Sequence, residues 1–404
     1  MFDFTDLENF AEDVPHDALR QLRRFTPVCW NPAPTPAMPE DGFWLITKHQ
    51  DIRRIEKNPA LFSSHFGLTL ADAPSATVGP PWSMVRDGLT HLDPPEHYAH
   101  KQIVAPSFTP RAITTMEARI QAIAIEVIER ACELSEFDFA REVALRFSVA
   151  VVLGEAFGLP AEHFARAVRW SDVIAAPNDP EFSRSEGATV IHEIYDYALA
   201  TLEARRREPK HDILSVLAHT KINNGNYMSD EMFVRYFWSL LTGAFDTTAS
   251  AISGGMLAFI AFPEQYERLL LNPSLLSTAV EEILRWETPT IYFRRTAMAD
   301  TEIRGQRIQR GQRVVMCYAS ANRDEEEFVN PDTFDISRKP NNHLSFGYGR
   351  HFCLGANLAR AEIRILFELI IQRKLHLELR GEIRRARSNF QNRIKQMPVS
   401  IKAI

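Results

Sequence analysis

Cys353 sits in the run Phe346-Gly347-Tyr348-Gly349-Arg350-His351-Phe352-Cys353-Leu354-Gly355, directly ahead of apolar residues at Leu354, Leu358, Ala361, Ile365 and Leu369. That spacing predicts a helix with one apolar face. The two glycines before the cysteine let the backbone bend tightly and approach a flat ligand closely. A cysteine at a helix N-terminus meets free N–H groups and partial positive charge, which favour the thiolate, the form that binds metal. On haem iron, a thiolate ligand pushes electron density onto the metal and favours O–O cleavage. A lone free cysteine is more often a buried structural thiol, but the surrounding glycines and aromatic residue invert that expectation. A dinucleotide loop is excluded because Phe352 occupies the third glycine position of GxGxxG. A zinc pair made of His351 and Cys353 would need two further ligands in matched spacing, and none is evident.

A second set of reactive types lies in Gly243-Ala244-Phe245-Asp246-Thr247-Thr248, inside the apolar run 236–262 whose single charge is Asp246. An acid and a hydroxyl in a buried helix are costly unless hydrogen-bonded or used. Thr247 could simply bond back to the preceding turn. Glu282 and Arg285 stand three apart and can meet on one helix face; taken alone, such a pair is a solvated salt bridge. His97 and Lys101 share a face at i, i+4, behind Asp93-Pro94-Pro95-Glu96, where Asp93 is expected to cap a helix and Glu96 to complete the box.

The elements that must position these residues are mainly helical. Strand-like runs open the chain at 43–47, and a helix-like stretch through Asp51, Ile52 and Ile55 stops near Asn58-Pro59. Residues 61–90 read as a long loop rich in Ser, Gly, Pro and Ala, of the kind that covers a ligand. Helical periodicity dominates 112–270, with breaks near Pro160, residues 176–180 and residues 222–225. Short β-like runs follow at 292–297 and 313–318, then a helix after Cys353 and closing strands at 375–379 and 399–401. The expected class is mainly α with small β-sheets (α+β), and the absence of repeats or a linker favours a single domain over residues 1–404.

Composition fits a packed globular chain: 404 residues, 45% hydrophobic, 10% aromatic and 24% charged. Lys plus Arg number 46 against 52 Asp plus Glu, a formal charge of -6 that gives no basic excess for nucleic acid. Four singly scattered cysteines, Cys29, Cys132, Cys317 and Cys353, fit a reducing cytoplasm. The N-terminus carries no secretion-type signal. The apolar run 236–262 is long enough to span a bilayer, yet its crowded Ser, Thr and Gly and its mid-depth acid favour a buried core helix and no membrane.

The cysteine loop resembles the signature of the cytochrome P450 family, and similar matches run from about Asp41 to the C-terminus. The resemblance implies a helix-rich fold holding haem b between a central helix and the cysteine loop, with Cys353 as axial ligand and Phe346, Gly347 and Gly355 framing it. Glu282 and Arg285 then resemble the ExxR motif, joined by Arg338 to lock the core. His97, Lys101, Arg295 and His351 match positions that hold haem carboxylates, although Lys101 replaces the usual Arg and loses its forked hydrogen bond. Asp246 and Thr247 resemble the acid and alcohol that handle protons beside oxygen, and Ala244 displaces the usual glycine of the oxygen groove. Phe66, Trp82, Met84, Leu241, Ala244, Phe245, Thr248, Ile291 and Phe390 are expected to wall the substrate pocket. The implied activity is a monooxygenase using O2 on a small hydrophobic substrate such as a sterol, terpenoid, alkyl or aromatic compound. No flavin or nicotinamide domain is visible, so ferredoxin and ferredoxin reductase are expected to supply electrons to a monomer, through a basic patch of Lys101, Arg350, Arg360 and Arg364. Coupling, desaturation or direct use of peroxide are alternative outcomes, and a haem sensor or carrier is the reading outside the enzymes.

Overall fold

A computed structural model describes residues 2–33, 41–70, 88–175, 181, 184–222 and 225–402. The architecture is mainly α with small sheets. Its central helix, Asp230–Ala261, opens on Ser229, whose hydroxyl accepts the Met232 N–H, with Asp230 and Glu231 in the first turn where the helix dipole is positive. By length and composition this helix could cross a membrane, but 72% of its most apolar window is buried against the rest of the protein. Helices Pro110–Cys132, Phe164–Ala175, Leu276–Glu287 and Ala356–Gln372 pack with it around one large apolar cluster that includes Ile120, Phe237, Ile252, Ile283 and Leu366.

The main sheet runs Val28–Pro32, Gly42–Ile46, Arg313–Cys317, Tyr292–Ala297, Phe62–Ser63. Only the Gly42–Ile46 and Arg313–Cys317 pair is parallel. Within Tyr292–Ala297, side chains alternate, so Phe293 and Arg295 face one way towards the cavity described below and Arg294 faces the other, donating to the Phe66 carbonyl. The early helix forms as His49–Glu56 and the closing strands as His376–Leu379 and Pro398–Lys402.

The helix Glu96–Val104 starts without a side-chain cap. Asp93 does not fill that role: its carboxylate accepts from the Ser63 hydroxyl and from the Ser64 N–H at 2.8 Å. With two prolines between Asp93 and the helix, the carboxylate is drawn to the strand Phe62–Ser63, so it ties that strand's end to the helix instead.

Glu282 and Arg285 are both fully buried. Arg285 donates through Nε and a terminal nitrogen to the two Glu282 oxygens at 2.7 and 2.8 Å. Arg338 adds a third charge-assisted bond at 3.1 Å and continues to the carbonyls of Val329 and Thr333. Asn341 and the Asp335 N–H complete the carboxylate's partners. Such a pair stabilises only while it is whole, because removing one charge strands the others away from water. Glu282→Gln preserves shape but leaves two guanidiniums facing a neutral amide, and urea unfolding should show a loss of about 3–5 kcal/mol. A loss under about 1 kcal/mol, the size of an exposed pair, would show that this network does not hold the fold.

Candidate active site

Gly347 and Gly349 adopt left-handed backbone, with φ of 66° and 69°. A Cβ on Gly349 would lie 2.6 Å from the Glu56 carbonyl, so the loop crosses the end of His49–Glu56 only as glycine. The loop closes on itself through the Cys353 N–H, which donates to Phe346 O at 2.9 Å. The helix Ala356–Gln372 starts three residues after the cysteine. Burial pushes the Cys353 thiol up, while N–H groups of Gly355 and Ala356 and the charges of Lys101 and Arg360 pull it down. The exposed surface of Cys353 lies on an internal cavity of about 250 Å³.

Another wall of that cavity is the central helix, through Leu240, Gly243, Ala244, Thr247 and Thr248. These positions follow the i, i+3, i+4 rule for one helix face. At Gly243 a Cβ would meet nothing within 4 Å, so the wall is open there. Thr247 Oγ1 donates to Gly243 O at 2.9 Å, bonding back to the preceding turn while still facing the cavity. Asp246 points off this face. Its carboxylate accepts from Ser171 Oγ at 2.7 Å and pairs with Arg393 Nε at 3.1 Å. Burial raises the Asp246 pKa, against the lowering pull of Arg393 and of Ser171.

The third wall carries positive charge. His97 and His351 stack with ring centroids 4.0 Å apart. Burial drives His97 down to about 4, helped by Lys101 and Arg295, and drives His351 down to about 2, helped by Arg295, His97 and Lys101. Ser64 Oγ stands 3.3 Å from His351 Nε2. Lys101 lines the cavity, but its ammonium donates to the carbonyls of Arg350 and Phe352 at 3.0 and 2.7 Å, so its donors go to the cysteine loop. Glu56, which carries no sequence signal, also lines the cavity: burial raises it to about 7, and the Tyr318 hydroxyl donates to it at 2.7 Å.

Of the residues expected to wall a substrate pocket, Ala244 and Thr248 do so. Leu241 and Phe245 do not: one residue along a helix turns about 100°, which carries both into the apolar core, where they are 1% and 2% exposed. Ile291 and Phe390 are likewise displaced, because Phe390 packs edge-on against Tyr292 and Phe293 and accepts the Ile291 N–H at 2.8 Å. Phe66 is an exposed side chain outside the cavity walls. Trp82 and Met84 lie outside the described residues. Leu89, Leu240, Pro289, Thr290 and Phe293 take these places. Leu240 was legible as the residue one turn before Ala244; the others sit on separate elements.

The expected basic patch is largely engaged. Arg360 makes a forked pair with Glu281 at 2.6 and 2.8 Å, and Arg364 pairs with Glu117 at 2.7 Å, because acidic residues of neighbouring helices reach them. Arg350 remains exposed.

A family model described as cytochrome P450 matches residues 75–398. The chain is 36% identical to a steroid C26-monooxygenase of Rhodococcus jostii, over 99% of this chain and 85% of the relative. It is 34% identical to a linalool 8-monooxygenase of Pseudomonas putida, covering 98% of each. A Mycobacterium marinum cytochrome P450 solved in complex with pseudoionone superposes with a TM-score of 0.87 at 32% identity, covering 96% of this chain and 94% of that one. The chain belongs to the cytochrome P450 family and is a P450 monooxygenase.

Haem b is the cofactor of this family, and the cavity fits it. A sulfur opens on one wall, the helix wall is clear of side chain at Gly243, and the cations Arg295 and Lys101 beside two imidazoles suit the anions that two haem carboxylates would bring. In haem-free protein this rim sets a pH dependence. The folded His97 resists protons down to about 4, whereas the unfolded chain takes them up near 6.5. Stability from this source is therefore full above 6.5 and is lost as pH falls towards 4. Denaturant titrations at stepped pH should show that loss, flattened in the double variant His97→Gln, His351→Gln; an identical slope would clear the imidazoles of any part in it.

Proposed function

We propose that this chain, as one domain over residues 1–404, inserts one atom of O2 into a C–H bond of a small hydrophobic substrate, with Cys353 holding the iron of haem b. The observation that carries this reading is that Cys353, on its loop, and Thr247, on the central helix, line the same cavity, with an acid one residue before the threonine. His97, Arg295 and His351 would take the haem carboxylates, while Lys101 would brace the cysteine loop. Phe346, Gly347 and Gly355 would frame the sulfur side, and Ala244 the face where oxygen binds. When bound, haem supplies oxygen binding and O–O cleavage under the push of a thiolate ligand.

The residues of the chain set the proton supply and the orientation. Thr247 spends its own proton on Gly243 O, which leaves its oxygen facing the cavity as an acceptor. Asp246, raised by burial, can carry a proton nearer neutral pH than an exposed Asp can. Leu89, Leu240, Pro289 and Phe293 exclude water and would hold a substrate by shape, with Thr90, Ser239, Thr248 and Thr290 as polar groups among them. An apolar wall of this kind supports a sterol, terpenoid, alkyl or aromatic substrate. Relatives named for a steroid and for linalool, and a neighbour solved with pseudoionone, support the same range.

Electrons would come from a ferredoxin and its reductase to a cytoplasmic monomer. The exposed Arg350 near the cysteine offers a basic contact for it, narrower than a continuous basic patch.

Cys353→Ala should abolish the carbonyl-bound Soret band of a thiolate haem. Thr247→Ala should keep that band and divert electrons to peroxide, and Asp246→Asn should slow turnover by about a hundredfold. A Thr247→Ala protein that forms as much product per electron as the wild type would remove its role at the oxygen.

A further inference from the structure

Glu56 is a buried acid that the reaction proposed above leaves unused. It ends the helix His49–Glu56, its side chain is only 2% exposed, and it lines the same cavity as Cys353. The cysteine loop lies directly against it, since a Cβ on Gly347 would stand 3.2 Å from Oε1. The two carboxyl oxygens differ. Oε1 accepts from the Tyr318 hydroxyl at 2.7 Å, whereas Oε2 is buried with no hydrogen-bond partner among the described residues. Nor does a close cation neutralise the group. Arg295 stops at 3.9 Å and donates to the Arg294 carbonyl at 2.8 Å. Arg53, one turn back on the same helix, donates to the Tyr348 hydroxyl at 3.0 Å, and Lys57 stands over the Tyr348 ring at 5.4 Å. On the turn Gly349–His351, which packs against this helix, Arg350 is exposed and His351 is engaged with Ser64 and His97. An ionised carboxylate with one oxygen orphaned away from water is costly, which favours the protonated acid. Burial accordingly raises Glu56 to about 7, against the pull of Arg295, Tyr318 and the Tyr348 N–H. The O–H of a protonated acid then needs an acceptor inside the cavity.

We propose that Glu56 is a further binding residue for the edge of the cofactor: as a neutral acid it donates from Oε2 to a carboxylate of bound haem, and it takes up its proton with the electron that reduces the iron. The inference rests on the placement of the haem carboxylates at His97, Arg295 and His351 given above. One electron passes from the one-electron donor of the monooxygenase reaction to ferric iron, and one proton passes from solvent to Glu56. Reduction adds negative charge to the same dry cavity, so the ferrous protein holds that proton more tightly than the ferric protein does. The potential is therefore highest where Glu56 is protonated in both states. It falls as pH rises between the ferric and ferrous pKa values, and levels where Glu56 is ionised in both.

The test is a redox titration of the haem-loaded chain at stepped pH, with infrared difference spectra between ferric and ferrous protein, for the wild type, Glu56→Gln and Tyr318→Phe. A tenfold tighter hold on the proton in the ferrous state lowers the wild-type potential by about 59 mV between about pH 6 and about pH 9. Reduction should also bring up the C=O stretch of a protonated carboxyl. Glu56→Gln should abolish both changes and keep the carbonyl-bound Soret band. Tyr318→Phe removes a bond that favours the ionised form, so it should move the fall in potential to higher pH. Should Glu56→Gln not retain haem, that shift decides, and an unmoved fall overturns the proposal. A pH-independent wild-type potential overturns it too, as does a fall that survives Glu56→Gln and so belongs to Glu362 or to the haem carboxylates; each leaves the proposed function standing. Wild-type protein without the carbonyl-bound band of a thiolate haem would instead sink that function, and this inference with it.

Discussion

The arrangement of this protein depends on one buried carboxylate shared between two guanidiniums. Glu282 fixes Arg285, and Arg285 then donates to the Asn322 carbonyl at 2.8 Å. The Asn322 side chain accepts the Leu344 N–H at 2.7 Å and donates to Ser345 Oγ at 2.9 Å, and Ser345 Oγ donates to Leu284 O at 2.6 Å. The next residue, Phe346, accepts the Cys353 N–H. An ion pair with no exposed surface thus sets, through five directional bonds, where a sulfur stands relative to the central helix. Hydrophobic contact alone could not do this, because apolar packing is non-directional. The desolvation cost of burying these charges is offset only because nearly every donor and acceptor among them is used.

The central helix solves a second problem of the same kind. Its apolar length buries it, yet three consecutive polar residues lie near its middle. The helical turn separates them: Thr247 and Thr248 go to the cavity, and Asp246 goes to the side where Ser171 and Arg393 wait. Polar groups in a dry interior need partners, and the partners differ by face, so one helix carries a hydroxyl for the site and an acid wired to another region of the protein.

This pattern explains what the sequence disclosed. The cysteine loop was readable because its own shape is set within ten residues, by two glycines whose backbone turns left-handed, a cysteine and a helix start; its placement, through Glu282, Arg285 and Asn322, was not. The ion pair at 282 and 285 was readable as a spacing, and the apolar run as a buried helix. The pocket walls were not readable in the same way. The resemblance to the family puts Leu241 and Phe245 on the cavity, and a rotation of about 100° per residue sends them elsewhere. Asp246 shows the sharper limit: Ser171 and Arg393 lie far from it in sequence, and no local spacing announces them. The same holds for Glu56, which reaches the cavity only because the cysteine loop is laid across the end of its helix.

Glu56 completes the electrostatic picture. The cavity gathers Arg295, Lys101, His97 and His351, and of the two carboxyls that line it, Glu56 comes no nearer to Arg295 than 3.9 Å, too long for a hydrogen bond. Tyr318 holds the Glu56 oxygen that faces Arg295, so this acid answers only part of the surrounding charge. Burial holds both histidines down first, and the positive charge of Arg295 and Lys101 adds to it. An edge of this kind complements a ligand that carries two carboxylates there and an apolar plane elsewhere.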